Sequence, residues 1–281
     1  MSVRQFSSSP RIWAFAHQKG GVAKTTSALG VAGALTEMGH RVLAVDLDPQ
    51  ASLTLALGHR PAEVNPSLAQ VLSEQVPWHA ALLKTEVENL DLLPATGRLS
   101  QIGSQWLAAG VYDGLRRVLA GIRGYDFLIL DAPPSLGIFT VNALVAAHLA
   151  LIPTQAEYFS AYALRHMLRL VQWAREAYNP GLKYRIFITM FQKRNRAHAL
   201  VRARLEATFG LGLCQTIIGV DTKVREAAIA GLPIQYFAAR SRAAEQYRAL
   251  TQEVLAYDQQ TPTQVLFPQQ EAAGRATAGA E

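Results

Sequence analysis

The stretch His17-Gln18-Lys19-Gly20-Gly21-Val22-Ala23-Lys24-Thr25-Thr26 constrains this chain more than any other. An apolar run, Ile12 to Ala16, leads into it, and an Ala- and Leu-rich helical pattern, Ser27 to Met38, leads away. Strand, glycine-bearing turn, then Lys-Thr at a helix start is the arrangement of a phosphate-binding loop. Such a turn points several backbone N–H groups inward. The helix adds its first-turn donors and the positive end of its dipole. Gly20 and Gly21 let the backbone approach phosphate oxygens that a Cβ would crowd. Lys24 is placed to reach the β- and γ-phosphates, and the Thr25 hydroxyl to hold Mg²⁺. Two residues depart from the simplest pattern. Gln18 stands where a glycine usually opens it, and Ala23 stands where a glycine usually precedes Lys-Thr. If that position needs positive φ, alanine there costs roughly 1 kcal/mol.

A second strand, Arg41 to Asp46, follows the Gly39-His40 helix stop, which makes a right-handed parallel βαβ unit. It runs into Asp46-Leu47-Asp48-Pro49-Gln50. Extended backbone puts Asp46 and Asp48 on one side, at the strand edge where ligands of open parallel sheets bind. A helix cap before proline accounts for one of these acids but not both. The run Tyr125 to Leu130 then ends in Asp131-Ala132-Pro133-Pro134-Ser135, an apolar strand tipped by a carboxylate. In nucleotide sites that carboxylate faces Mg²⁺, often through a water. Further strands are predicted over 90–94, 148–153, 184–190 and 213–218. Helices are predicted over 99–122 (interrupted at Gly110 and Gly114), 141–147, 160–178, 197–209, 224–230 and 241–257. The fold class is α/β: a mainly parallel twisted sheet with helices on both faces, because the apolar strands show little polar alternation.

With 281 residues, half of them hydrophobic, the chain can bury one large core. The reading divides it into a flexible segment over 1–10, a single domain over 11–257 and a disordered tail over 258–281, rich in Gln, Thr, Pro, Ala and Gly. The single cysteine, Cys214, rules out an intrachain disulfide and fits a reducing, cytoplasmic setting. No apolar run reaches the roughly 18 residues of a membrane span, and Met1 to Pro10 lacks a signal-peptide core. The net charge of +6 is unevenly placed: Lys183 to Arg248 holds 12 Lys and Arg against 4 Asp and Glu. A basic C-terminal third points to a polyanion partner such as nucleic acid.

Taken in order, Lys19-Gly20-Gly21-Val22-Ala23-Lys24-Thr25-Thr26, Asp46-Leu47-Asp48-Pro49-Gln50 and Asp131-Ala132-Pro133-Pro134-Ser135 resemble the ParA/Soj family of DNA-partitioning ATPases, in the wider group that includes MinD. The resemblance runs from about Arg11 to Tyr257 and takes in Gln155-Ala156-Glu157-Tyr158-Phe159 and Ser241-Arg242-Ala243-Ala244-Glu245. It implies a P-loop NTPase of the deviant Walker A type that uses ATP and Mg²⁺. Lys19 then matches the family's signature lysine, which reaches across a sandwich homodimer to the partner's ATP, in the manner of an arginine finger. Gly20, Gly21, Val22, Ala23, Lys24, Thr25 and Thr26 match the nucleotide-binding loop, and Met190 at the tip of a later strand is counted with them. Asp48 matches the carboxylate that positions the attacking water, and Thr25, Asp46 and Asp131 match the Mg²⁺ side of the site. The resemblance further implies that the ATP dimer binds double-stranded DNA without base readout, through Arg225 and Arg242, with Lys223 and Arg240 next. A ParB-type centromere-binding partner then stimulates hydrolysis and release, at the nucleoid. MinD-like members attach to lipid by a basic C-terminal helix; here Arg275 is the sole base after Asp258, so no membrane partner is expected. The alternatives are another cargo-positioning ATPase, a nucleotide switch with little hydrolysis, and a metabolic enzyme or iron–sulfur carrier on the same scaffold.

Overall fold

The computed structural model describes residues 9–157 and 160–260. Its strands are β1 (Arg11–Phe15), β2 (Val42–Asp46), β3 (Leu83–Lys84), β4 (Leu90–Leu93), β5 (Phe127–Asp131), β6 (Leu149–Gln155), β7 (Lys183–Phe191) and β8 (Leu213–Gly219). They form one 8-stranded sheet in the order β3-β4-β2-β5-β1-β6-β7-β8. Every pairing is parallel except that of β3 with β4. The helices are α1 (Lys24–Glu37), α2 (Ser52–Ala56), α3 (Leu68–Leu72), α4 (Leu99–Ala109), α5 (Gly114–Leu119), α6 (Ile138–Ala146), α7 (Ser160–Ala177), α8 (Arg196–Phe209), α9 (Lys223–Ile229), α10 (Ile234–Phe237) and α11 (Arg242–Gln259). The expected α/β class therefore holds.

Alternation along each strand splits the core into two layers. Ile12 and Ala14 of β1 pack with Leu43, Leu128, Ile152 and Ile186 under helices α3 to α8. Trp13 and Phe15 face the other way, with Ala44, Ile129, Leu151 and Phe187 under α1, α2 and α9 to α11. Both faces are covered, which is why these strands read as continuous apolar runs. The α1 helix crosses the second layer closely. A Cβ on Gly30 would sit 2.7 Å from the Tyr247 ring, and Ser27 Oγ is 3.1 Å from the Tyr247 hydroxyl. The long segment read as 99–122 is two helices, and Gly110 closes the first at φ 66. The left-handed stop expected at Gly39 is present, at φ 82.

One boundary moves. The reading ended the domain at Tyr257, but α11 continues through Gln259 and Asp258 is buried. The Asp258 carboxylate accepts hydrogen bonds from the Arg11 guanidinium and, at 2.9 Å, from the buried Trp13 Nε1. Lys183 Nζ donates to the Asp258 carbonyl at 2.9 Å. A polar residue in a polar-looking tail thus pins the last helix onto β1 and β7. The remainder of the tail reading, the segment before Ser9, and Tyr158 and Phe159 lie outside the described residues.

Edge strand β8 is also managed by α11. Glu253 accepts from the Gln215 and Thr216 amides at 2.7 and 2.9 Å, and Gln246 accepts from the Gly219 amide at 2.9 Å. Side chains so cap donors that would otherwise offer a template for another strand. We expect Asp258→Ala to lower unfolding stability by about 2–3 kcal/mol in urea titrations, because it strands a buried indole N–H and removes the partner of Arg11. Asp258→Asn, which keeps an acceptor, should cost less.

Candidate nucleotide-binding site

Parallel register brings the three sequence motifs to one edge. Phe15 pairs with Asp131 and Asp46 pairs with Asp131, so the ends of β1, β5 and β2 lie side by side. The loop from His17 to Ala23 leaves that edge and turns into α1. Its carbonyls are anchored from the other side: Gln155 Nε2 donates to the Gly21 carbonyl at 2.9 Å, and the Thr189 hydroxyl donates to the Val22 carbonyl at 3.0 Å. A trans peptide sets N–H opposite C=O, so the Val22 and Ala23 amides turn away from those anchors. Among the described residues, the amides of Gly20 to Ala23 have no backbone acceptor outside regular structure. A Cβ on Gly20 or Gly21 would meet no protein atom within 4 Å. These glycines are therefore not packing residues, and they leave space for phosphate to approach the backbone.

Ala23 sits at φ 59 and ψ 35, in the left-handed region. The strain anticipated for alanine before Lys-Thr is therefore present. Ala51 at φ 56 and Met190 at φ 53 share that conformation. Met190 lies where the β7–β8 register slips, and its Sδ is 3.0 Å from Gln155 Nε2. Gln155 thus ties the loop to the Met190 turn. Sequence reasoning quoted Gln155 without a role; a glutamine ending an apolar strand was the available signal.

His17 is buried, and its Nδ1 accepts the Lys19 amide at 3.0 Å. That bond to the amide two residues on is the one an asparagine makes in an Asx turn. Burial, with Lys24 and Lys19 nearby, pushes its pKa down to about 4, so it is a neutral turn residue.

The acids are not equivalent. Asp46 Oδ2 accepts from the Thr54 amide and hydroxyl, both at 2.8 Å, and its Oδ1 accepts from the Asp48 amide at 3.1 Å. Asp131 is fully buried, and neither of its oxygens meets a donor in hydrogen-bond geometry. Burial and the neighbouring Asp46 push Asp131 up to about 7, against the opposing pull of Lys24 and the Thr25 hydroxyl. Burial likewise raises Asp46 to about 6, with its Thr54 donors opposing. An orphaned buried carboxylate beside a hydroxyl and an ammonium fits a hydrated divalent cation. Thr25 and Asp131 have the chemistry of a Mg²⁺ side. Asp46 already accepts three protein donors, two on Oδ2 and one on Oδ1, which leaves Oδ1 a further lone pair for contact through a water. Asp48 is mostly buried and close by, with Oδ1 accepting the Gln50 amide at 2.9 Å.

Lys24 is buried at the start of α1. Lys19 is half-exposed and folds back onto its own chain, 2.5 Å from Glu157 and 3.2 Å from Gln155 Oε1. Of the basic candidates, Lys223 and Arg225 are on α9, and Arg242 opens α11. Asp221 joins the two helix starts, accepting from the Lys223 amide at 3.1 Å and the Ala243 amide at 3.2 Å. Lys223 pairs with Glu226 at 2.7 Å, and Arg242 donates to the Val220 carbonyl. Arg225 and Arg240 are exposed, and among the described residues neither has an ion-pair partner. A groove of about 880 Å³ joins Arg242 to Lys193, Arg194 and Arg202. No helix among the described residues is long and apolar enough to cross a membrane.

Fold and loop together define a nucleotide-binding protein of the phosphate-loop class. Residues 10–184 match the AAA domain family AAA_31. The chromosome-partitioning ATPase Soj of Thermus thermophilus is 38% identical over 252 residues, covering 86% of this chain and 94% of Soj. The chromosome partitioning protein ParA of Caulobacter vibrioides is 34% identical over 251 residues, covering 87% of this chain and 94% of ParA. A crystal structure named as cobyrinic acid a,c-diamide synthase from Mycobacterium smegmatis, with bound ATP analog and magnesium, is 35% identical with a TM-score of 0.79, covering 88% of this chain and 95% of that one. The chain belongs to the ParA/Soj family of partitioning ATPases.

Two predictions come from this geometry. Ala23→Gly removes a left-handed alanine and should raise unfolding stability by about 0.5–1 kcal/mol in urea, with strain relief exceeding the added chain entropy. Asp46 and Asp131 bind protons more tightly folded than at the ordinary 3.8, so the folded chain holds extra protons from about pH 4 to about pH 7. Stability then falls as pH rises through that window. Without Mg²⁺, Asp131→Asn should melt higher than the parent at pH 8, and the gap should narrow as pH falls below about 7 and close near pH 4.

Proposed function

We propose that this chain binds ATP and Mg²⁺ at the β1–α1 loop, pairs with a second copy across the nucleotide, and in that state grips duplex DNA without reading its sequence. Hydrolysis, stimulated by a ParB-type partner, then releases the DNA, and the protein works at the nucleoid. The observation that carries this reading is the alignment of the Lys19–Thr26 loop, Asp48 and the orphaned Asp131 on one strand edge. Bound Mg²⁺ neutralises charge on the β- and γ-phosphate oxygens. The protein's own contributions are separable. Loop amides and Lys24 would hold the phosphates, and Thr25 and Asp131 would hold the cation. Asp48 would orient the attacking water. Lys19 must leave Glu157 to reach a partner's nucleotide. An exposed pair of this kind contributes only about 0–1 kcal/mol, so the exchange is cheap.

The named activity of the M. smegmatis neighbour favours a second reading, ATP-driven amide formation. A version of that chemistry that drew ammonia from glutamine through a cysteine nucleophile would need a reactive thiolate. Cys214 is the chain's single cysteine; it is buried, and burial with Glu253 nearby pushes its thiol well up. That thiol is unsuited to the task, which favours the partitioning reading.

The test is size-exclusion chromatography and DNA retention with ATP, ADP and no nucleotide, for the parent chain, Asp48→Ala and Arg225→Ala. Dimer and DNA complex should form with ATP alone and persist longer in Asp48→Ala. Arg225→Ala should dimerise normally but bind DNA more weakly. With about four phosphate contacts, affinity should fall roughly 10²-fold between 50 and 200 mM salt. DNA retention that ignores nucleotide or salt overturns the proposal.

A further inference from the structure

We propose that Thr54 is a positioning residue for hydrolysis: it fixes Asp46, and through Asp46 the turn that aims Asp48. The inference rests on the ATPase reading above. It begins with a helix that cannot cap itself. The α2 helix starts at Ser52 behind Ala51, whose methyl group offers no acceptor to the first-turn amides. The Thr54 amide is in that first turn. Asp46, eight residues back at the end of β2, meets it at 2.8 Å. The same carboxylate oxygen takes the Thr54 hydroxyl proton at 2.8 Å.

The direction of that hydroxyl is set by its other neighbour. Thr54 Oγ1 accepts the Ala95 amide at 3.0 Å, just past β4. An amide can only donate, so the hydroxyl's own proton goes to Asp46. Thr54 is fully buried, so water cannot substitute. The other oxygen of Asp46 holds the Asp48 amide at 3.1 Å. Asp48 in turn accepts the Gln50 amide on Oδ1 and the Ala51 amide on its carbonyl, at 2.9 and 2.8 Å. The path from the β4 end to Asp48 therefore runs through Thr54 and Asp46 by hydrogen bonds alone. Asp131, beside Asp46 in register, has none of these bonds. The two adjacent acids thus divide the labour: one orients the water-positioning loop and the other faces the metal.

Residues that orient a catalytic group commonly matter by 10–100-fold. Thr54→Val keeps shape and removes the hydroxyl. Its kcat for ATP should fall about 10- to 100-fold, with KM and the affinity for a fluorescent ATP analogue within about threefold of the parent. Thr54→Ser keeps the hydroxyl and should recover most of kcat. If the parent turns ATP over and Thr54→Val matches it, Thr54 has no positioning role and the ATPase reading stands. A loss of kcat that serine does not recover, or an equal loss of ATP affinity, makes Thr54 a packing residue and overturns the proposal. A parent that binds Mg·ATP but never hydrolyses it overturns the ATPase reading, and the proposal with it.

Discussion

The site depends on parallel register between β1, β5 and β2. A slip of one residue would turn each side chain to the opposite face and scatter the motifs. In register, Asp46 and Asp131 are neighbours, and the loop after Phe15 leaves from the same edge. Burial disfavours charge on both carboxylates, and Asp46 adds its repulsion to Asp131, which is why both hold protons more tightly than usual. The arrangement becomes favourable when cations share the edge. Lys24 already opposes the charge on Asp131, and a divalent ion completes the balance.

Among the described residues, three of the five non-glycine positions with positive φ lie around the same edge, the other two being Glu74 and Asn89. Ala23, Ala51 and Met190 hold left-handed conformations that such residues seldom adopt. Each lies next to a residue with work to do. Ala23 precedes Lys24, Ala51 precedes the helix that Asp46 caps, and Met190 meets Gln155. The surrounding sheet over-determines these turns. Trp13, Phe15 and Phe187 fill the layer below with no exposed surface.

The periphery is built differently. Lys19, Arg225 and Arg240 are exposed, and the contacts of Lys19 are weak enough to exchange. Asp221 holds the starts of α9 and α11 together, so basic residues far apart in sequence share one border. The result is a buried, hydrogen-bonded nucleotide edge with exposed charged side chains at its margin.

The sequence by itself determined the α/β class, most strands and helices, and the three motifs, because apolar runs, helix stops and the glycine-bearing turn are local signals. It also marked Ala23 as a position that is strained if the turn needs positive φ, and the structure supplied that φ. Tertiary structure alone separated Asp46 from Asp131. Both read as acids at strand ends, and only the packing of α2 against β2 shows that one meets protein donors while the other has none. Asp258 was misplaced for the same reason: its partners, Arg11 and Trp13, are near the other end of the chain. Thr54 carried no pattern of its own, and Gln155 only that of a glutamine ending an apolar strand. Their roles come from hydrogen bonds between segments 8 to 134 residues apart, and no local periodicity encodes such a distance.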